Sequence, residues 1–403
     1  HGMWGGSLIS ALLGTELPGP GAIYLNQTLS FRRPVGVGDT ITVRVEVKKK
    51  IAEQNRLVLD CACVNQNGET VITGEAEVIA PTQKVRRPRA VLPEVHLHER
   101  GKHFEALIEA ARAYPPVRTA IVHPCDAAAI EGAVEAAKLG LITPVLVGPA
   151  QKIKAAAAAA GLSLSDYDLV DAPHSHAAAA KGVAMARAGE VQALMKGALH
   201  TDELMAAVVD RQLGLRTERR MSHIFVIDTP NYPKPLLVTD AAINIEPDLD
   251  EKRDIVQNAI DLAIAIGVAR PKVAILSAVE TVYPRVRSTV DAAALCKMAD
   301  RGQITEGVVD GPLAFDNAIS RAASEAKHIV SPVAGDADVL VVPDLVSGNI
   351  LAKQLIFLAG ADAAGLVLGA RTPIMLTSRA DVALARTASC ALAQLYVHRR
   401  AAP

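Results

Sequence analysis

Aromatic side chains are scarce. Five Phe, six Tyr and one Trp amount to 3% of 403 residues. A core short of large rings must be filled by Ala, Val, Leu and Ile, and half of the chain is hydrophobic. This balance fits α/β layers with buried parallel strands. Excess charge of either sign is also lacking: 42 Lys and Arg face 43 Asp and Glu. A broad basic surface for nucleic acid is therefore not expected. Apolar runs stay short of the ~20 residues that span a bilayer, which argues against a membrane partner. The five cysteines, Cys61, Cys63, Cys125, Cys296 and Cys390, are odd in number. Their spacing suits neither a disulfide framework nor a zinc site, so no metal and a reducing, cytoplasmic setting are expected. The sequence opens on His1 without the basic and apolar lead-in of a secretory signal. It runs at once into the helical stretch HGMWGGSLISALLG, as a chain truncated at its start would.

What is present divides into parts. Residues 1–82 read as a helix, about Met3 to Leu13, followed by strands over Ala22–Phe31, Thr40–Lys50, Leu57–Asn65 and Thr70–Ile79. Ile41, Val43, Val45 and Val47 alternate with Thr42, Arg44, Glu46 and Lys48, the period of a half-solvated strand. Asn67-Gly68 marks a tight hairpin. Residues 83–102 are basic, Pro-containing and aperiodic, which makes them a linker. From 103 to 403 strands alternate with helices, predicting a parallel sheet covered on both faces. Expected strands include Arg118–His123, Pro144–Val147, Val191–Met195, His223–Asp228, Leu236–Thr239, Val273–Ser277, Val339–Val342 and Gly365–Leu368. A loop is expected at Asp310–Asp316. Asp240, Asp310, Asp316 and Asp344 read singly as solvated turn carboxylates.

Two strand–turn–helix junctions could hold an anion. Pro373–Arg386, PIMLTSRADVALAR, runs from a short apolar strand through Thr377-Ser378-Arg379 into a helix with Asp381 in its first turn. Such a turn presents backbone N–H groups, and a guanidinium can grip phosphate or carboxylate with two parallel hydrogen bonds. The other is Met195–Glu203, MKGALHTDE, which brings Lys196, Gly197, His200 and Thr201 together. An ordinary helix cap explains either junction alone.

Residues 1–80, through HGMWGGSLISALLG, IYLNQTLSFRRPVGVGDTITVRVEV and TGEAEVIAP, resemble the MaoC-like hot-dog domains of (R)-specific enoyl-CoA hydratases. That resemblance places the catalytic Asp and His ahead of His1, so hydratase activity of this chain is not expected. Ser10 aligns with a site serine. ALMKGALHTDEL, VVDGPLAFDNAIS, SPVAGDADVLVVPDLVSGNILAKQL and MLTSRAD together resemble the phosphate acetyl/butyryltransferase family. The whole order is similar to the fused proteins called bifunctional enoyl-CoA hydratase/phosphate acetyltransferases.

The second resemblance implies a two-lobed α/β/α, isocitrate dehydrogenase-like fold, with lobe 1 at about 103–222 plus 371–403 and lobe 2 at about 223–370. It implies transfer of an acetyl to butyryl group between CoA and inorganic phosphate, through acyl phosphate. CoA is a substrate, no cofactor is held tightly, and the assembly is a homodimer or higher homo-oligomer. Its implied catalytic set is Ser378, Arg379, Asp381, Asp316 and Asp310. Lys196, Gly197, His200, Thr201, Thr377, Asn349 and Lys353 would bind CoA and phosphate. The acetyltransferase branch places a general-base Asp seven residues beyond the site serine, and here that position is Ala385. It also has an Arg in a turn that reads Asp171-Ala172-Pro173-His174 here. Three other readings stay open. The first is a hydratase completed by a preceding segment. The second is a non-catalytic dimerisation or acyl-CoA-sensing role for residues 1–82. The third is a dehydrogenase, disfavoured by the lack of a GxGxxG turn.

Overall fold

The computed structural model describes residues 2–83, 101–376 and 383–401. The chain separates into two compact units, His1–His96 and Leu97–Pro403. In the first, helix α1 (Met3–Thr15) precedes strands β1 (Ile23–Phe31), β2 (Thr42–Ile51), β3 (Arg56–Val64) and β4 (Thr70–Ile79). The strands form an antiparallel sheet in the order β1-β4-β3-β2. The expected alternation holds on β2, where Val43, Val45 and Val47 are half-buried between exposed Thr42, Arg44, Glu46 and Lys48. Gly68 takes φ +79°, as the Asn-Gly turn requires. Gly5, Ile9 and Leu13 fall on one face of α1 and are buried. Ile9 and Leu13 join Leu59, Cys63, Ile72 and Val78 in the core of this unit.

The second unit holds one mixed sheet. Its elements run α2 (Lys102–Ala111), β5 (Val117–Val122), α3 (Ala127–Lys138), β6 (Ile142–Gly148), α4 (Ala150–Ala159), β7 (Asp168–Asp171), α5 (Ser175–Arg187), β8 (Ala193–Lys196) and α6 (Thr201–Val208). They continue with β9 (Ser222–Asp228), β10 (Leu236–Thr239), α7 (Leu249–Ala265), β11 (Lys272–Leu276), α8 (Arg287–Asp300), β12 (Val308–Leu313), α9 (Phe315–Ile319), α10 (Arg321–Ala326) and β13 (Val339–Val341). The last are α11 (Leu345–Phe357), β14 (Asp362–Leu368), β15 (Ile374–Met375) and α12 (Ala383–Ala401). Among the described residues the sheet has 11 strands, ordered β12-β11-β13-β10-β9-β14-β15-β8-β5-β6-β7.

The parallel expectation holds for each half but not at their junction. β9 runs antiparallel to both β10 and β14, and β14 antiparallel to β15. The short connections 229–235 and 369–373 explain this, because a parallel crossover needs a dozen residues or more. The reversal gives the sheet two rims. β5, β6, β7, β8, β9 and β15 end at one, here the upper rim, while β10, β11, β12, β13 and β14 end at the lower. The supposed loop over Asp310–Asp316 is β12 as far as Leu313, and α9 then begins at Phe315. Its Gly311-Pro312 pair lies within the strand.

Period-2 burial assigns the two faces. Ile121, Leu146 and Met195 pack with Ile130 and Leu392 on one side. Ala120, Val122, Val145, Val147 and Leu194 pack with Val183 and Leu204 on the other. Asp228, at the end of β9, accepts hydrogen bonds from His103 N (3.0 Å) and Phe104 N (3.2 Å), satisfying the first turn of α2. Asp240 corrects the solvated reading. It is 3% exposed, and its carboxylate accepts from the backbone N of Ala242, Ile243 and Asn244. Asp344 caps α11 through Ser347 N at 2.8 Å, which is why that helix begins at Leu345.

His223, on β9, is fully enclosed and lies edge-on to Phe225, with ring centroids 4.3 Å apart. Burial drives its pKa down to about 4, and nearby Asp240 opposes the shift. A base depressed in the folded state binds protons more readily when unfolded. Its contribution is therefore complete above pH ~6.5 and is lost as pH falls toward 4. Denaturant midpoints should fall between pH 7 and pH 4.5, and a His223→Leu variant should lose part of that dependence.

Candidate active site

The upper rim collects the MKGALHTDE junction. Lys196 closes β8 in parallel pairing with β5 and β15. Its side chain is nearly buried, and Nζ donates to the carbonyls of Gly197 (3.3 Å) and Leu199 (3.4 Å). Gly197 lies against the end of β5. A Cβ there would stand 2.6 Å from the carbonyl oxygen of Val122 and 2.7 Å from that of His123. Those carbonyls accept the N–H groups of Gly197 and Ala198, both at 2.9 Å. The strand end and the turn are thus zipped together by backbone. Gly197→Ala should destabilise the protein by about 1–3 kcal/mol, since rigid carbonyls cannot yield. Thermal unfolding with an activity measurement at low temperature would separate this from loss of chemistry.

His200 is exposed at the N-cap of α6 without a side-chain cap bond, and exposed Thr201 opens the helix. Lys196, Gly197, His200 and Thr201 therefore stand together at one strand end and one helix start. β15 brings Met375 beside Met195, so the chain that continues past Leu376 leaves from the same rim. Thr377, Ser378, Arg379 and Asp381 lie outside the described residues.

The remaining expected residues are not brought to this rim. Asp310 lies on β12, where its Oδ1 accepts from Gly311 N. Burial, then Asp310, push the nearby Cys296 thiol up to about 12. Asp316 is exposed on α9 and pairs with Lys327 at 3.4 Å. Asn349 Nδ2 donates to the carbonyl of Ala241 at 3.1 Å, tying α11 to the loop after β10. Lys353 is exposed on α11. All four belong to strands that end at the lower rim or to the helices after them. A cavity of about 640 Å³ also opens there, lined by Thr217, Arg219, Asp261, Tyr396, Arg399 and Arg400. Within its lining, Arg219 bonds Asp261.

Three upper-rim residues escaped the sequence reading. His123, in the run HPCD after β5, takes φ +56°. Cys125 N and Ala198 N both donate to its carbonyl (2.8 and 2.9 Å), holding it in this uncommon conformation. Asp126 caps α3 through Ala129 N at 2.8 Å. Glu203, in the first turn of α6, stands 3.8 Å from His176 Nδ1. A histidine closing a strand just before a helix cap was the available signal. The turn Asp171–His174 has structural duties: Asp171 accepts from Ala150 N at 2.8 Å, and the His174 ring caps α5. Ala385 is buried on α12. Among the described residues no cluster of three or more His, Cys, Asp or Glu could hold a metal, and no helix is long and apolar enough to cross a membrane.

Comparison with known proteins gives this geometry a context. A family profile described as phosphate acetyl/butaryl transferase matches residues 174–393. A phosphate acetyltransferase of Rhizobium meliloti is 62% identical over 299 residues, covering 74% of this chain and 95% of that protein. A phosphate butyryltransferase of Clostridium acetobutylicum is 38% identical, covering 73% of this chain and 98% of the relative. Among solved structures, a branched-chain phosphotransacylase from Enterococcus faecalis V583 superposes with a TM-score of 0.61 at 29% identity. It covers 70% of this chain and 99% of its own.

Proposed function

The chain belongs to the phosphate acetyl/butyryltransferase family, and from that premise we propose how its upper rim performs the reaction. It is a phosphate acyltransferase that moves a short acyl group between CoA and inorganic phosphate. The CoA thiol, with an ordinary pKa of about 8.5, needs a nearby base to reach useful thiolate levels at neutral pH. The thiolate attacks the carbonyl carbon of acyl phosphate, the bond from carbon to the phosphate oxygen breaks, and phosphate departs. No covalent enzyme intermediate is required.

Ser378 and Arg379 bind the phosphoryl oxygens and stabilise charge developing on the carbonyl. The turn over Lys196, Gly197, His200 and Thr201, together with Thr377, holds CoA and its phosphates. Asp381 contributes a carboxylate beside them. The observation that supports this reading is the parallel pairing of β15 with β8, which sets Met375 beside Met195, one residue before Lys196 of the MKGALHT turn. Asp310, Asp316, Asn349 and Lys353 have no part in it, because their strands end at the other rim. Identity to the acetyltransferase of R. meliloti favours acetyl over butyryl. The test is CoA consumption with acetyl, propionyl and butyryl phosphate. Turnover should be greatest with acetyl phosphate, and none with any of the three would end the reading.

Residues 1–82 are read as part of a MaoC-like hot-dog unit that serves association or acyl-CoA sensing. The helix α1 buried on an antiparallel sheet supports this. The transferase unit is expected to act as a homodimer or higher homo-oligomer in the cytoplasm. Sedimentation of the full chain, with and without crotonyl-CoA, would show one species insensitive to the ligand if the sensing role is wrong.

A further inference from the structure

Two buried polar atoms on the upper rim have no hydrogen-bond partner among the described residues: His123 Nδ1 and Glu203 Oε2. A polar atom left bare in an interior costs stability, and its persistence calls for an explanation such as a catalytic role. One such atom could be incidental. Here two of opposite character, an imidazole nitrogen and a carboxylate oxygen, belong to the same rim, and the Glu203 charge acts on the His123 ring.

The backbone explains how they come to the same rim. His123 closes β5 and Glu203 sits in the first turn of the helix after β8, the adjacent parallel strand. The zipper between Val122–His123 and Gly197–Ala198 fixes the distance between the strand ends. On its other side the His123 ring abuts Gly148, where a Cβ would lie 3.7 Å from Cδ2. The imidazole is thus confined between the turn after β6 and the turn after β8, with its main chain fully used and one ring nitrogen uncommitted.

We infer that His123 is the proton acceptor for the CoA thiol and that Glu203 is the carboxylate whose charge balances the imidazolium. The inference rests on the reading of the upper rim as the transfer site. As sulfur bonds the acyl carbon and the bond from carbon to phosphate oxygen breaks, the thiol proton passes to His123. It then leaves with the departing phosphate, so atoms and charge balance without another reactant. This supplies the base that the chain lacks at Ala385. Burial, then Lys152, draw the His123 pKa below its ordinary value, while Glu203 and Asp126 oppose the shift. The ring is therefore neutral and able to accept a proton at pH 7. Cys125 lies two residues on, with its thiol pushed up by burial, and His176 shares the Glu203 carboxylate at 3.8 Å.

The test is the pH profile of acetyl phosphate-dependent CoA acylation by the full chain. His123→Gln should lower kcat about 100-fold, with KM for CoA little changed, and should erase the acidic limb. Glu203→Gln removes a charge that favours the imidazolium, so its acidic limb should move to lower pH with a smaller loss in kcat. Added imidazole should partly restore a His123→Ala variant. A wild-type acidic limb in both folded variants, or kcat within threefold for His123→Gln, overturns the inference. If His123→Gln does not fold, the limb of Glu203→Gln decides alone. The two readings fail separately: an inactive wild type ends the transfer site, whereas an active wild type with indifferent variants ends only the dyad.

Discussion

Arg379→Gln is expected to lower kcat/KM for acyl transfer by about 10³-fold. A single neutral donor aimed at a developing oxyanion is typically worth 10²–10³ in rate. A guanidinium offers two parallel donors and a full charge, so it belongs at the upper end of that range. Glutamine keeps one donor and removes the charge. Arg379→Lys tests geometry against charge: an ammonium retains the charge but cannot reproduce the fork, so it should recover only a minor part of the loss. Assays with acetyl phosphate at saturating CoA, with circular dichroism to confirm folding, would measure both. Activity within threefold of wild type for Arg379→Gln would remove this residue from the chemistry.

Asp291→Ala should cost about 3–5 kcal/mol of stability, the largest loss expected from any single substitution named here. Lys252 on α7 and Asp291 on α8 meet at 2.7 Å, with side chains only 7% and 11% exposed. Removing the carboxylate strands a buried ammonium whose desolvation is no longer repaid. Arg287 also approaches Asp291, at 3.6 Å, but its side chain is 65% exposed and adds little. Replacing both buried partners by apolar residues, Lys252→Met with Asp291→Leu, should be near neutral. A double-mutant cycle by chemical denaturation would show the coupling. Equal losses in the single and double variants would show that packing, rather than the unpaired charge, sets the cost.

Much of the architecture could be read from residues because period and punctuation agreed. Leu236–Thr239 and Thr70–Ile79 were placed with their observed bounds. The four residues of MKGALHT were seen to converge, since one glycine, one lysine and a helix start suffice to define that turn. Strand direction was not read, although the short link between His223–Asp228 and Leu236–Thr239 leaves no room for a parallel crossover. Whether β9 runs with or against its neighbours depends on connection length and register, and apolar runs such as SHIFVID look alike in either case. This single unknown decided which candidate residues share a rim, and it separated Asp310 and Asp316 from Lys196. Buried carboxylates were misread for a related reason. Asp240 looks like any loop aspartate until three backbone N–H groups are found converging on it. His123 and Glu203 were passed over for the opposite reason: what marks them most is the lack of a bond.

The two-residue strand β15 has a consequence for the order in which this protein can be made. It joins β8 from a point some 180 residues further along the chain. A ribosome that has released β5 through β8 has produced a half-sheet whose inner neighbour does not yet exist. That half can reach its final form only once the chain through β15 has been made. Until then its apolar flank needs shelter from other nascent chains.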